Sequence, residues 1–265
     1  MRIVRFADEN GIVHQGIPID SKTAEETVET DSGTYESTGR ILSIARYLPP
    51  VNPTAIICIG LNYRDHAGET GMDIPERPVV FMKNPAATIG HRENIVLPAS
   101  CRNPLQVDYE VELAVIIGKQ AKNVPEDEAL SYIKGYTVAN DVSARIWQKK
   151  GGGGQWVRGK SFDTFCPLGP WLVTADEIDD PGTLGLSLSL NGTAMQKSTT
   201  SNMIFSVKKL IAYLTEDTTL LPGTVILTGT PEGVGFTRTP PVFLKPGDRL
   251  ELAVEKIGTL ENQVV

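Results

Sequence analysis

The segment Asp108-Tyr109-Glu110-Val111-Glu112-Leu113-Ala114-Val115-Ile116-Ile117 carries the densest potential chemistry in the chain. Read as a strand, it places Tyr109, Val111, Leu113, Val115 and Ile117 on one apolar face and Asp108, Glu110 and Glu112 on the other. Glutamates at i and i+2 project in parallel from backbone positions about 7 Å apart, so two flexible carboxylates can converge on one cation. An edge strand with a solvated acidic face would show the same E-x-E pattern. Two features count against it. The acidic face continues into Ala114 and Ile116, so it passes from wet to buried. A second strand-like run ends in Asn140-Asp141 and offers a third carboxylate at the mouth of the same sheet. Like-charged acids beside apolar residues repel one another and are costly to desolvate without a cation. Glu110, Glu112 and Asp141 are therefore the candidate metal ligands. An oxygen-only set with room for water suits Mg²⁺ or Mn²⁺, with Ca²⁺ as the alternative.

Two further segments hold groups that could move protons or stabilise oxyanions. His66 and Glu69 follow the short apolar run AIICIG, and a His and Glu three apart on a helical turn share one face. Glu69 can then orient the imidazole and raise its basicity, fitting His66 to activate a water. A surface turn would carry the same pair. Flanking Gly60, Gly68 and Gly71 would let the segment move as a lid. Lys160 stands amid Gly159, Phe162 and Phe165. It reads as a desolvated lysine with a lowered pKa, as a cation holding an oxyanion, or as a plain loop lysine. The Gly-rich turn TGTPEGVG, residues 228–235, ends a strong strand and can present backbone N–H groups to a carboxylate. No G-K-[ST] follows it, so it is not a phosphate-binding P-loop.

These groups need a frame, and the chain supplies one made mostly of strands. AIICIG, PVVFM, VELAVII, GYTVAND, GPWLVT, LGLSLSLNG, TVILTG and RLELAVEKIG follow one another, separated by Pro and Gly. Two segments read as helical. Residues 125–134 have acids in the first turn and Gly135 just beyond the end, a charge and capping pattern for a short helix. Residues 206–214 place Val207, Leu210, Ile211 and Leu214 on one helical face. The fold class is mainly β with a minor α component. Residues 1–50 are expected to form a small N-terminal αβ domain that opens with two strands joined at Asp8-Glu9-Asn10-Gly11. Residues 49–53, rich in proline, read as a stiff linker to the main domain, 54–265. The four glycines at 151–154 read as a mobile loop.

Composition narrows the function. A content of 40% hydrophobic and 22% charged residues is that of an ordinary globular protein with a sizeable core. A net charge of −7 and no Lys/Arg cluster argue against a nucleic-acid partner. Three histidines are too few for a histidine-rich zinc site. Cys58, Cys101 and Cys166 are far apart and read as buried free thiols. With no apolar run of membrane-span length and no secretory signal pattern, the expected compartment is the cytosol, with an organellar form as the alternative.

In order and spacing, GLNYRDHAGETG, FMKNPAATIG, VDYEVELAVIIGK, GYTVANDVSAR, GKSFDTFCPLGP and LTGTPEGVG resemble the fumarylacetoacetate hydrolase (FAH) superfamily over residues 54–265. The first fifty residues and the ending look most like its longer FAH-domain-containing members of the FAHD2 type. That resemblance implies a mixed β-roll/β-sandwich catalytic domain and a homodimer. By motif position it implies Glu110, Glu112 and Asp141 as metal ligands, His66 and Glu69 as a lid dyad and Lys160 as the active-site lysine. It also implies Gln148, Thr164 and Thr230 as residues touching metal waters or substrate. Relatives commonly carry Arg-Asp-Trp-Gln where this chain has Arg145-Ile146-Trp147-Gln148, so the substrate-facing loop is expected to differ in detail.

The expected chemistry is chelation of a small 2-oxo acid, with the cation as a Lewis acid for an enolate formed at C3. The leading expectation is an oxaloacetate keto–enol tautomerase. Acylpyruvate C–C hydrolysis is second, followed by oxaloacetate decarboxylation or 2-hydroxyhepta-2,4-diene-1,7-dioate isomerisation. A non-catalytic 2-oxo-acid binder is disfavoured, because such a protein would not need His66, Glu69 and Lys160 beside three carboxylates.

Overall fold

The computed structural model describes residues 1–31, 33–149 and 154–265. The N-terminal strands are β1 (Arg2–Ala7), β2 (Val13–Pro18), β3 (Thr23–Glu29), β4 (Tyr35–Ser43) and β5 (Arg46–Tyr47). Next come β6 (Ile56–Gly60), β7 (Val79–Lys83), β8 (Thr88–Ile89), β9 (Asn94–Ile95) and β10 (Val107–Asp108). The central strands are β11 (Val111–Ile117), β12 (Ile133–Asn140), β13 (Ser143–Ala144) and β14 (Cys166–Thr174). The last are β15 (Gly185–Leu190), β16 (Thr193–Thr199), β17 (Val225–Leu227), β18 (Arg249–Val254) and β19 (Gly258–Val264). Four α-helices interrupt them: α1 (Arg64–Thr70), α2 (Arg145–Lys149), α3 (Trp156–Lys160) and α4 (Val207–Thr215). The fold is mainly β, as its alternating apolar runs require.

One large sheet runs in the order β4-β3-β2-β1-β14-β12-β11-β17-β6-β7, and a second runs β16-β15-β18-β19-β9. Strand β11 sits near the middle of the first, and both its faces are buried. Val111, Leu113, Val115 and Ile117 join the larger core with Leu186, Leu188, Leu252 and Leu260 of the second sheet. Ala114 and Ile116 point the other way, into a smaller core with Ile56, Cys58, Cys166 and Leu227. This is the alternation read from the sequence, with Glu112 opening the second face. Helix α4 also matches its pattern: Ser206 caps it by accepting from the Lys209 N–H, and Val207, Leu210, Ile211 and Leu214 are buried.

Two expectations are corrected. Residues 1–50 contain no helix among those described; they are five strands around a small core of Val4, Phe6, Ala24 and Tyr47. The polar stretch after residue 20 forms the ribbon β3–β4, whose backbone groups pair with each other, so it can stay largely exposed. Strand β1 also pairs with β14, which makes the N-terminal strands an extension of the main sheet. Residues 125–134, expected as an α-helix, contain only a 3₁₀ turn at Ala129–Tyr132, after which β12 begins. Gly135 is not a helix stop. It lies in β12 against β14, where an added Cβ would sit 2.3 Å from the Val173 carbonyl oxygen. Of the glycine run at 151–154, residues 151–153 lie outside the described residues.

Gly135→Ala is therefore expected to force β12 and β14 apart and to destabilise the protein by roughly 1–3 kcal/mol. Urea denaturation reads this directly, as a lower midpoint at unchanged slope.

Candidate metal centre

The pairing of β11 with β12 sets Val111 opposite Asn140 and Glu112 opposite Ala139. Just beyond that ladder, the Asp141 N–H donates to the Glu110 carbonyl at 2.9 Å, and the Asn140 side chain accepts from the Glu110 N–H at 3.0 Å. The register thus brings the three predicted carboxylates together. One oxygen from each of Glu110, Glu112 and Asp141 lies within 4.8 Å of the others, and all three residues are buried.

Buried cations surround two of the three. Lys160, at the end of α3, donates to Glu110 at 3.0 Å and to the Asp141 Oδ2. Lys83, at the end of β7, donates to the Asp141 Oδ1 and to the Val142 carbonyl at 3.0 Å. Arg145 pairs through Nη1 with Glu110 at 2.7 Å and donates through Nε to Asp108 at 2.8 Å. Burial alone would raise the Glu110 pKa, but Lys160 and Arg145 outweigh it and lower it to about 2. Glu112 forms no ion pair among the described residues. Among the described residues it accepts only the Gly229 N–H, at 2.6 Å, and burial, then Asp141 and Glu110, push its pKa well above the usual carboxylate range. A divalent cation between these oxygens would remove that penalty, so the donor set fits a hard metal ion.

The expectation that Lys160 has a lowered pKa does not hold in this arrangement. Burial disfavours its charge, but Asp141 and Glu110 overcome that effect and raise its pKa. Of the three readings open to Lys160, the buried cation is the one the geometry matches. Asp108, on the acidic face in the sequence, does not join the cluster. Its carboxylate accepts from Arg145, from the Tyr109 and Gly235 N–H groups at 2.8 Å and from the Phe236 N–H at 3.0 Å.

The other predicted pair forms on α1. His66 Nδ1 lies 3.2 Å from Glu69 Oε2, while Glu69 Oε1 accepts from the Gly233 N–H at 3.0 Å and Thr237 Oγ1 at 2.7 Å. Burial would raise the Glu69 pKa, but His66, Thr237 and Gly233 bring it below the ordinary value. An ionised Glu69 can only accept the hydrogen bond, so Nδ1 carries the hydrogen and Nε2 is the ring nitrogen with a free lone pair.

His66, Glu110, Glu112, Gln148, Lys160 and Thr230 line one cavity of about 60 Å³, together with Arg145. Glu69 and Asp141 stand behind its wall. Thr164 is not brought there: its hydroxyl accepts from the Val96 N–H at 2.9 Å, and its backbone has a positive φ of 68°. Lys83, Asp108 and Arg145 were not singled out from the sequence. Alternation along β7 does put Lys83 on the same buried face as Phe81, which was the available signal. A much larger open cleft, of about 1000 Å³, lies between residues 17–21 and 256–261, but it contains none of these carboxylates or acid–base groups. The small cavity is therefore the candidate site.

Residues 55–265 match the family model described as fumarylacetoacetate (FAA) hydrolase C-terminal. The chain is 46% identical over 244 residues to the oxaloacetate tautomerase fahd2, mitochondrial, of Xenopus laevis, covering 91% of this chain and 76% of that protein. The 2-hydroxyhepta-2,4-diene-1,7-dioate isomerase of Mycobacterium marinum is 40% identical, with a TM-score of 0.84, covering 100% of this chain and 98% of that one. The 5-carboxymethyl-2-hydroxymuconate delta-isomerase of Mycobacterium smegmatis is 41% identical, with a TM-score of 0.85, covering 100% and 99%.

Because Glu112 must lose a proton before it can ligate, divalent-ion affinity is expected to rise with pH. Below the raised pKa of Glu112 the slope should approach about tenfold per pH unit for one displaced proton. Titration calorimetry with Mn²⁺ in buffers of different ionisation heat should show about one proton released. Affinity that is flat with pH and releases no proton would mean that Glu112 is already ionised.

Proposed function

The chain belongs to the fumarylacetoacetate hydrolase family, and from that premise we propose that it is an oxaloacetate keto–enol tautomerase. The observation that carries this reading is one buried cavity lined by carboxylates of a candidate metal centre, a cationic lysine and a carboxylate-oriented histidine. A divalent cation, Mg²⁺ or Mn²⁺, held by Glu110, Glu112 and Asp141 would supply a Lewis acid for the substrate's 2-oxo carboxylate.

The protein's own groups do the rest. His66 Nε2 takes the proton from the enol hydroxyl and delivers it to C3, so the same proton leaves oxygen and arrives on carbon. Glu69 fixes the ring in the tautomer this requires and, through Gly233 and Thr237, ties α1 to the turn after β17. The Lys160 ammonium places a positive charge beside the developing enolate oxygen. Gln148 and Thr230 are proposed to contact substrate or ordered water from the opposite walls.

A second reading draws on the Mycobacterium marinum relative, which is named as an isomerase of a seven-carbon dioate. The same proton transfer would serve it. We further propose a homodimer as the working unit, as the family resemblance implies. No helix among the described residues is long and apolar enough to cross a membrane. The Xenopus laevis relative is named as mitochondrial, which matches the organellar alternative to the cytosol.

Metal-loaded protein is expected to accelerate loss of enol-oxaloacetate, followed by ultraviolet absorbance, and to leave acylpyruvates intact. Acylpyruvate cleavage without faster enol loss would replace the tautomerase by a hydrolase. Glu110→Gln should abolish both Mn²⁺ binding and turnover, and unchanged activity in that variant would remove the scheme altogether.

A further inference from the structure

A 2-oxo dicarboxylate has two anionic ends, and the candidate metal centre meets only the first. Elsewhere the cavity wall carries two further cationic side chains, Arg145 and Lys149, that are incompletely paired among the described residues. Arg145 is 6% exposed; its Nε is engaged by Asp108, and its Nη1 by Glu110 and Gln148. Its Nη2 is buried and has no hydrogen-bond partner among the described residues. An orphaned guanidinium N–H in the interior is costly, so this position calls for an acceptor.

Lys149 lies four residues along α2, on the same helical side as Arg145. Both cations pack on Phe236: the guanidinium carbon is 4.4 Å from the ring centroid, and Lys149 Nζ is 3.5 Å from it. All three residues line the cavity. Lys83 and Lys160 are paired with carboxylates, but Lys149 forms no ion pair with any described residue. Partial desolvation and the charge of Arg145 pull its pKa below the ordinary lysine value. Two like charges on adjacent helical turns repel, and a single carboxylate between them would satisfy both.

We propose that Arg145 Nη2 and Lys149 Nζ form a carboxylate subsite at the cavity mouth that recognises the distal carboxylate of a 2-oxo dicarboxylate. The inference rests on the 2-oxo-acid reading above and adds to it the basis for choosing a dicarboxylic over a monocarboxylic substrate. Arg145 also pairs with Glu110, whereas Lys149 forms no hydrogen bond or ion pair with a candidate metal ligand or the His66–Glu69 pair among the described residues. Lys149 is therefore the residue whose removal isolates the subsite.

Oxaloacetate and pyruvate share the same 2-oxo-carboxylate head and differ by the distal carboxylate alone. Metal-loaded wild-type protein is expected to bind oxaloacetate, measured as KM, at least tenfold more tightly than pyruvate, measured as Ki. Lys149→Met should weaken oxaloacetate about tenfold and leave pyruvate unchanged, with Lys149→Arg restoring most of the loss. Rising salt should shrink the wild-type preference, because Lys149 is exposed to solvent. Equal weakening of both ligands, or no weakening of oxaloacetate, would overturn the subsite while leaving the tautomerase reading in place. Failure of both ligands to bind wild-type protein would overturn both readings.

Discussion

Burying a carboxylate is tolerable only where cations or N–H donors replace the water it has lost, and this protein buries a group of them side by side. Asp108, Glu110, Glu112 and Asp141 are all buried, with Lys83, Arg145 and Lys160 set against them. Four acids face three bases. The unmatched charge falls on Glu112, whose only donor among the described residues is a backbone N–H. Much of the surrounding architecture can be understood as the means of holding this imbalance until a metal ion relieves it. β11 must be central so that its acidic end is walled in, β7 must end in a lysine, and α3 must deliver a second lysine to the same point.

The turn after β17 connects this centre to the proton-transfer side. Its N–H groups are directed at carboxylates, as its glycine content suggested, but the carboxylates belong to the protein. Gly229 donates to Glu112, Gly233 to Glu69 and Gly235 to Asp108. Gly229 has a positive φ of 101°, and a Cβ there would lie 2.7 Å from the Asn62 side chain, so the turn cannot make this approach with another residue. One short segment therefore positions a candidate ligand, the residue that orients His66 and the residue that orients Arg145. Movement of α1 away from the cavity would have to break the Glu69 contacts with Gly233 and Thr237, and the Asp65 contact with Asn202.

What could be read in the sequence was what a strand period encodes. Glu110 and Glu112 alternate with a continuous apolar series, and the end of a neighbouring strand supplies Asp141; both follow from local spacing. The counter-cations could not be read that way. Lys83 and Asp141 are 58 residues apart, and their meeting depends on which strands become neighbours. Arg145 sits on a five-residue helix too short to leave a periodic trace. The misread segment around residue 130 shows the converse error. Gly135 looked like a helix terminator because capping and close strand packing select the same residue for different reasons. Thr164 was carried over from a family motif, and its hydroxyl is used locally to hold Val96.

The claim on which everything else depends is that Glu110, Glu112 and Asp141 are assembled to hold a divalent ion. An anomalous difference map from crystals soaked in Mn²⁺ tests it most directly. A single strong peak is expected about 2.1 Å from one carboxylate oxygen of each residue. A map with no peak there, from crystals that still turn over enol-oxaloacetate, would contradict it.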